Sequence, residues 1–209
     1  TGVLNHATLM AELEHACAYA GRHGEPQSFL MLDLDHFKRI NDTWGHLVGD
    51  QVLMHVARVF KAGVRGSDLL GRYGGEEFAI ILRKCPPAKG REVAEKLRQM
   101  LRESPMKVEG SPEIAVQVSI GVASFPGSGQ TATEVATAAD LALYRAKVAA
   151  ALGWKGQNAG GSPPAQNRTR SSRLGIIGNS DICRLDGEAS GSASPAASGA
   201  KRSSASRGA

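Results

Sequence analysis

Two short acidic clusters carry most of the chemistry open to this chain. Asp33-Leu34-Asp35 leaves the end of the apolar run Ser28-Phe29-Leu30-Met31-Leu32, and Gly74-Gly75-Glu76-Glu77-Phe78 sits between two apolar stretches. Carboxylate oxygens are the hard donors that magnesium prefers, and magnesium is commonly held by one or two carboxylates together with substrate phosphates. Adjacent acids in a tight turn repel one another unless a cation or partner offsets the charge. Metal held by both clusters, with a triphosphate completing the coordination, accounts for the two together. Taken alone, each has a plainer use as a helix cap or an exposed charged turn. At the first cluster one carboxylate is expected to be free for a ligand and the other to cap the helical turn at His36. Asp33 and Asp35 are expected not to point together.

Polar residues follow the first cluster. Lys38 and Asn41 are three apart and share one helical face, and His46 and Asp50 follow Gly45. A carboxylate and an amide suit the guanine edge, which offers two N–H donors and one acceptor. Lys38 suits phosphate, although a lone lysine is equally at home on a solvated surface, and His46 equally suits a structural role.

These residues need elements to hold them. Leu9, Leu13, Ala16, Cys17 and Ala20 recur at helical spacing, so Asn5–Ala20 reads as a helix ended by Gly21. Ser28–Leu32 reads as a central strand ending at Asp33, followed by a helical turn through His36, Phe37 and Ile40. Asp50–Val64 reads as an amphipathic helix. Asp68–Tyr73 and Glu77–Leu82 read as strands of a hairpin around Gly74-Gly75. Arg91–Leu101 is a predicted helix, Glu113–Val122 an alternating strand and Thr131–Ala150 an Ala-rich helix. The order implies an α+β fold, a mainly antiparallel central sheet with helices packed on one side.

Composition sets the limits. The chain has 209 residues, is 42% hydrophobic and 22% charged, and carries a formal charge of +5. Residues 1–158 hold 18 basic against 17 acidic residues, and residues 159–209 hold seven against three. The basic balance therefore belongs mainly to the tail and gives no argument for a nucleic-acid partner. That tail, rich in Ser, Gly, Ala and Arg, is expected to be disordered, with Leu174–Ile177 as its hydrophobic patch and a short docked strand there as the alternative. Cys17, Cys85 and Cys183 make neither a disulfide framework nor a zinc site, and a reducing, cytoplasmic setting is the expectation. The chain starts at Thr1 rather than Met, so a longer protein with an upstream region, and with it a membrane anchor, is compatible with this sequence.

Several separated motifs together resemble the GGDEF family of diguanylate cyclases. Asp33 through His46 with Gly49-Asp50 is similar to its first signature, and Arg72-Tyr73-Gly74-Gly75-Glu76-Glu77-Phe78 to its signature loop in the GGEEF form. Thr1–Asn5 resembles its opening motif, Ser119–Ala123 its last strand and Ala139–Lys147 its last helix. The resemblance runs in order over residues 1–147, and a domain of residues 1–158 is expected. It implies a ferredoxin-like, nucleotide-cyclase-like sheet and the condensation of two GTP molecules into cyclic di-GMP on magnesium, with manganese as an alternative. It implies that Asp33, the Leu34 carbonyl, Glu76 and Glu77 hold metal. Glu76 would activate the ribose 3′-hydroxyl, Lys38 would steady the phosphates, and Asn41, Asp50 and nearby His46 would hold guanine. Gly74 and Gly75 would lie against substrate, with Lys147 near the triphosphate. A homodimer is implied, because each domain presents one GTP, and so is an upstream sensor or dimerising helix. Arg65-Gly66-Ser67-Asp68 resembles the family's inhibitory site for its product, with Lys96 as an assisting residue. The alternative is a catalytically silent domain that senses cyclic di-GMP or GTP.

The chain departs from the family pattern in three places. His6 stands where the opening motif has Arg. Ala151 falls where a second basic phosphate contact is expected, with Lys155 as a substitute and a delayed Gly156-Gln157-Asn158 ending. The long tail lies outside the pattern.

Overall fold

The computed structural model describes residues 2–108 and 113–158, with side chains as far as residue 150. The tail with its Leu174–Ile177 patch, and the side chains of Ala151 and Lys155, lie outside the described residues. The order is α1 (His6–His23), β1 (Gln27–Asp35), α2 (Phe37–Trp44), α3 (His46–Gly63), β2 (Leu69–Arg72), β3 (Glu77–Leu82), α4 (Pro87–Arg102), β4 (Gln117–Phe125) and α5 (Ala132–Asn158). The four strands form one sheet in the order β2-β3-β1-β4, and every paired strand is antiparallel. From β1 to β4 this is the β-α-β-β-α-β arrangement of ferredoxin-like folds.

Helices cover both faces of the sheet, not one. Strand side chains alternate, so β1 sends Leu30, Leu32 and Leu34 into a core with α3 and α4, and Phe29 and Met31 into a second core with α1 and α5. Burial on both faces explains why Phe29 to Leu32 reads as a continuous apolar run rather than an alternating one. The expectation of one-sided packing suits α3 and α4, the two crossover helices. It missed that α1 and α5, outside the repeat, bury Leu9, Leu13, Ala139 and Leu143 against the opposite face.

Local signals set the helix ends. Asn5 caps α1 by accepting a hydrogen bond from the Thr8 amide at 2.9 Å, and Gly24 ends it in the left-handed conformation (φ 67°). Gly45, also at positive φ (83°), divides α2 from α3, so His46 opens its own helix. Pro87 stands in the first turn of α4, where its missing N–H costs nothing. The opening segment also joins the sheet edge. Leu4 donates to the Leu70 carbonyl at 3.1 Å and accepts from the Arg72 amide at 2.8 Å. His6 stacks edge-on against Tyr73 with ring centroids 4.5 Å apart, which is the contact made where the family pattern has Arg.

Candidate active site

β1 does not stop at Asp33 but continues through Asp35, paired along its whole length with β4. Strand side chains repeat with a period of two, so Asp33 and Asp35 share the face occupied by Phe29 and Met31. The expectation that they diverge is therefore corrected. Asp35 does not cap α2 either, because that helix has no side-chain cap hydrogen bond. Asp35 Oδ1 instead accepts from Ser119 Oγ at 2.7 Å. Its carboxyl is raised above its ordinary value, first by burial and then by the neighbouring Asp33 charge, with the Ser119 bond acting the other way. His36 takes the left-handed conformation (φ 59°) and turns the chain from β1 into α2.

Asp33 lies directly opposite Glu77 in the β1–β3 ladder. Like charges at directly opposed positions destabilise a sheet. Glu76, the next residue, has a carboxyl raised by burial and by the Asp33 and Glu77 charges, with Lys147 lowering it. The hairpin that presents both glutamates is tightly held. Glu77 carbonyl accepts from the Tyr73 and Gly74 amides at 2.9 and 3.3 Å, and the Arg72 guanidinium donates to the Gly74 carbonyl at 3.2 Å and the Gly75 carbonyl at 2.7 Å. Arg72 belongs to the signature loop, yet its part in tying the turn was not read from the sequence. Neither glycine sits at positive φ. A Cβ on Gly74 would run into the Glu77 carboxylate, whereas one on Gly75 would meet open space, which leaves that backbone accessible to a ligand.

Asp33 is almost fully buried, and its two oxygens differ. Oδ2 pairs with Lys147 Nζ at 2.6 Å, while Oδ1 is buried without a hydrogen-bond partner. Lys147 reaches this position because α5 packs hard on β4. A Cβ on Gly121 would overlap the Ala139 carbonyl and the Leu143 amide. From Leu143 to Lys147 the helix advances about 6 Å. From Gly121 to Ser119, which is paired with Asp33, the strand advances about 6.6 Å. Contact at Gly121 therefore delivers the lysine to Asp33. A lone Gly inside a strand pattern signals such a close approach, and this was the available clue.

The nucleoside-binding candidates lie on α2 and α3. Phe37 is buried and anchors α2, leaving Lys38 exposed. Asn41 lies against the start of α3, where a Cβ on Gly49 would collide with its side-chain oxygen. That glycine lets Asn41 approach the turn carrying Asp50. His46 and Asp50 are exposed and one helical turn apart.

The metal assignment passes a chemical test in part. Among the described residues, no three His, Cys, Asp or Glu side chains gather into a ready-made metal cage. An orphaned, buried carboxylate oxygen opposite a second carboxylate still suits a small hard cation that takes its remaining ligands from phosphate.

Away from these acids, a pocket of about 380 Å³ lies between the β2 entry and α4. Arg65, Asp68, Arg83, Lys89, Glu92 and Lys96 line it. Asp68 is buried, and both of its oxygens accept backbone N–H groups, from Arg65 at 3.0 Å and Arg83 at 3.2 Å. Its carboxylate thus shapes the turn that presents Arg65. Lys96 donates to the Gly63 carbonyl at 3.0 Å.

The family model described as "Diguanylate cyclase, GGDEF domain" matches residues 1–151. The chain belongs to the GGDEF domain family. It is 40% identical over 147 residues to diguanylate cyclase DosC of Escherichia coli, covering 70% of this chain and 32% of that protein. Among solved structures, the GGDEF domain of PA1120 from Pseudomonas aeruginosa is 32% identical with a TM-score of 0.68, covering 70% of this chain and 91% of that one. The GGDEF domain of DgcB from Caulobacter crescentus, solved in complex with c-di-GMP, is 36% identical with a TM-score of 0.66, covering 71% and 85%. This GGDEF domain thus spans about a third of the DosC length. None of its described helices is long and apolar enough to cross a membrane.

Proposed function

We propose that this GGDEF domain condenses two GTP molecules into cyclic di-GMP and two pyrophosphates. The carrying observation is the buried, unpartnered Asp33 Oδ1 directly across the ladder from Glu77. Asp33, the Leu34 carbonyl, Glu76 and Glu77 would hold magnesium, with manganese as an alternative. When bound, the cation polarises the phosphoryl oxygens and stabilises the attacking and leaving oxygens of an in-line displacement.

The chain's own groups supply the rest. Glu76, raised by burial and by neighbouring charge, is a stronger base than an ordinary carboxylate and accepts the proton of the ribose 3′-hydroxyl. The 3′-oxygen then bonds to the α-phosphorus of the second GTP as pyrophosphate leaves. Lys38 and Lys147 neutralise phosphate charge, and Asn41, His46 and Asp50 orient guanine. Gly75 gives the nucleotide backbone access. Phosphoryl transfer depends chiefly on such positioning and charge neutralisation. Each domain offers one GTP, so two copies face each other in a symmetric dimer, and both bonds form at equivalent sites. Product binding in the pocket of Arg65, Asp68 and Lys96 would restrain the reaction, since guanidinium groups match phosphate and guanine acceptors.

The test is to incubate the full chain, stripped of nucleotide, with GTP and magnesium at concentrations where it is dimeric. Cyclic di-GMP and pyrophosphate in a one-to-two ratio are expected. Their absence from a demonstrably dimeric sample overturns the enzyme reading and leaves a sensor of cyclic di-GMP or GTP.

A further inference from the structure

We infer that Lys147 is the resident counter-cation of Asp33 and competes with the divalent ion for it, so that the site loads metal well only when a triphosphate draws the lysine away. The inference rests on the metal reading above and concerns how that site is regulated.

Lys147 Nζ lies 2.6 Å from Asp33 Oδ2. The aspartate side chain is 7% exposed and the lysine side chain 40%. A carboxylate so deeply buried demands a partner, because an unpaired charge there is costly. The two partners differ in freedom. Asp33 is fixed in the central strand by pairing on both sides. Lys147 hangs from α5 on a flexible, partly exposed four-carbon stem, so the lysine is the group that moves.

A divalent ion on Asp33 would stand within a few ångströms of this ammonium, and like charges at that range repel. Metal alone must therefore displace a good ion pair. A nucleotide-bound metal meets less resistance, because the triphosphate offers the lysine new anionic partners. The displaced ammonium also stays within an acidic neighbourhood, since the Lys147 charge acts on both Asp35 and Glu76. Lys147 thus acts twice, first as a stand-in for the cation and then as a phosphate contact. A lysine serving phosphate alone would leave nucleotide-free metal binding untouched.

The experiment titrates manganese alone into the nucleotide-free full chain, counting free ion by electron paramagnetic resonance. Wild type, Lys147→Gln, Lys147→Arg and Asp33→Asn are compared, each checked for folding by circular dichroism. Lys147→Gln should bind manganese roughly tenfold more tightly than wild type, the scale of one competing close charge contact. Lys147→Arg, which keeps the charge, should bind as weakly as wild type, and Asp33→Asn should bind least. With a non-hydrolysable GTP analogue present, the order reverses and Lys147→Gln becomes the weaker binder of the metal–nucleotide pair. Equal manganese affinity in wild type and Lys147→Gln, with Asp33→Asn still weakened, overturns the inference and leaves the metal site standing. Manganese binding that is insensitive to Asp33→Asn overturns the metal reading itself. Should Lys147→Gln not fold without metal, tight manganese binding by Lys147→Arg overturns the inference by itself.

Discussion

Asp33 and Glu77 face each other across the β1–β3 ladder, two carboxylates at directly opposed positions with Glu76 beside them. Such a pair is tolerated where its charge has a use. Glu77→Gln should abolish cyclic di-GMP formation, a loss of at least about a hundredfold, as expected when a metal ligand or transition-state charge contact is removed. The same change should raise stability by about 0.2–1 kcal/mol in chelator, because it removes an opposed like charge. Thermal melts with and without chelator check this. Retained turnover would mean that Glu77 is not a ligand.

Gly121 is where α5 touches β4. Gly121→Ala should cost about 1–3 kcal/mol of stability, since a methyl group there meets the Ala139 carbonyl and the Leu143 amide, which are backbone and cannot rotate away. Urea unfolding measures the cost. Activity should fall too, because α5 carries Lys147.

Gly49 gives Asn41 its place. Gly49→Ala should displace the Asn41 amide and raise the KM for GTP about tenfold, the scale of one lost hydrogen bond to a desolvated partner, with a smaller effect on kcat. Steady-state kinetics separate the two. A change in kcat alone would remove Asn41 from guanine recognition.

Arg65 and Asp68 should separate by phenotype. Arg65→Ala should relieve inhibition by added cyclic di-GMP and leave stability within about 0.5 kcal/mol, as for other exposed changes. Asp68→Ala should relieve inhibition and also destabilise by about 1–3 kcal/mol, because two backbone N–H groups lose their acceptor. Inhibition curves and denaturant melts on both variants check this. Unchanged inhibition in Arg65→Ala would reject the pocket as the product site.

Cys17 gives a pH prediction. Burial between α1 and the sheet pushes its thiol up from 9.0 to about 11. The folded state therefore keeps its proton at pH values where the unfolded chain loses it. The stability linked to this thiol is intact below pH 9 and is lost as pH rises toward 11. Stability measured at pH 8 and pH 10.5 should fall more in wild type than in Cys17→Ala. The thiol should also resist alkylation in the folded protein. Equal pH dependence in the two chains would contradict a buried thiol.

Much of the candidate site was legible in the sequence because its signals are local. Asp33, Glu76, Glu77, Lys38, Asn41 and Asp50 stand in short motifs, and the hairpin around Gly74-Gly75 announces itself by turn residues between apolar runs. The Asp33–Asp35 relationship was misread because alternation was taken to separate them, whereas residues two apart in a strand return to the same face, and β1 runs to Asp35, two residues past its expected end at Asp33. Pairing with β4 as far as Gln117 keeps those acids in the strand, and pairing is a property of the partner strand.

The sequence alone determined the family pattern, the order of elements and the identity of the acids. Each of these follows from residues near one another in the chain. Only the tertiary structure decided that helices cover both faces of the sheet, that Asp33 and Asp35 share one face, and that Lys147 reaches Asp33. These are consequences of packing between segments far apart in the chain, Asp33 and Lys147 among them, as at Gly121, where the absence of a side chain lets α5 close onto the sheet. No local propensity encodes such a distance. It exists only once the second core has formed around Met31, Ala139 and Leu143.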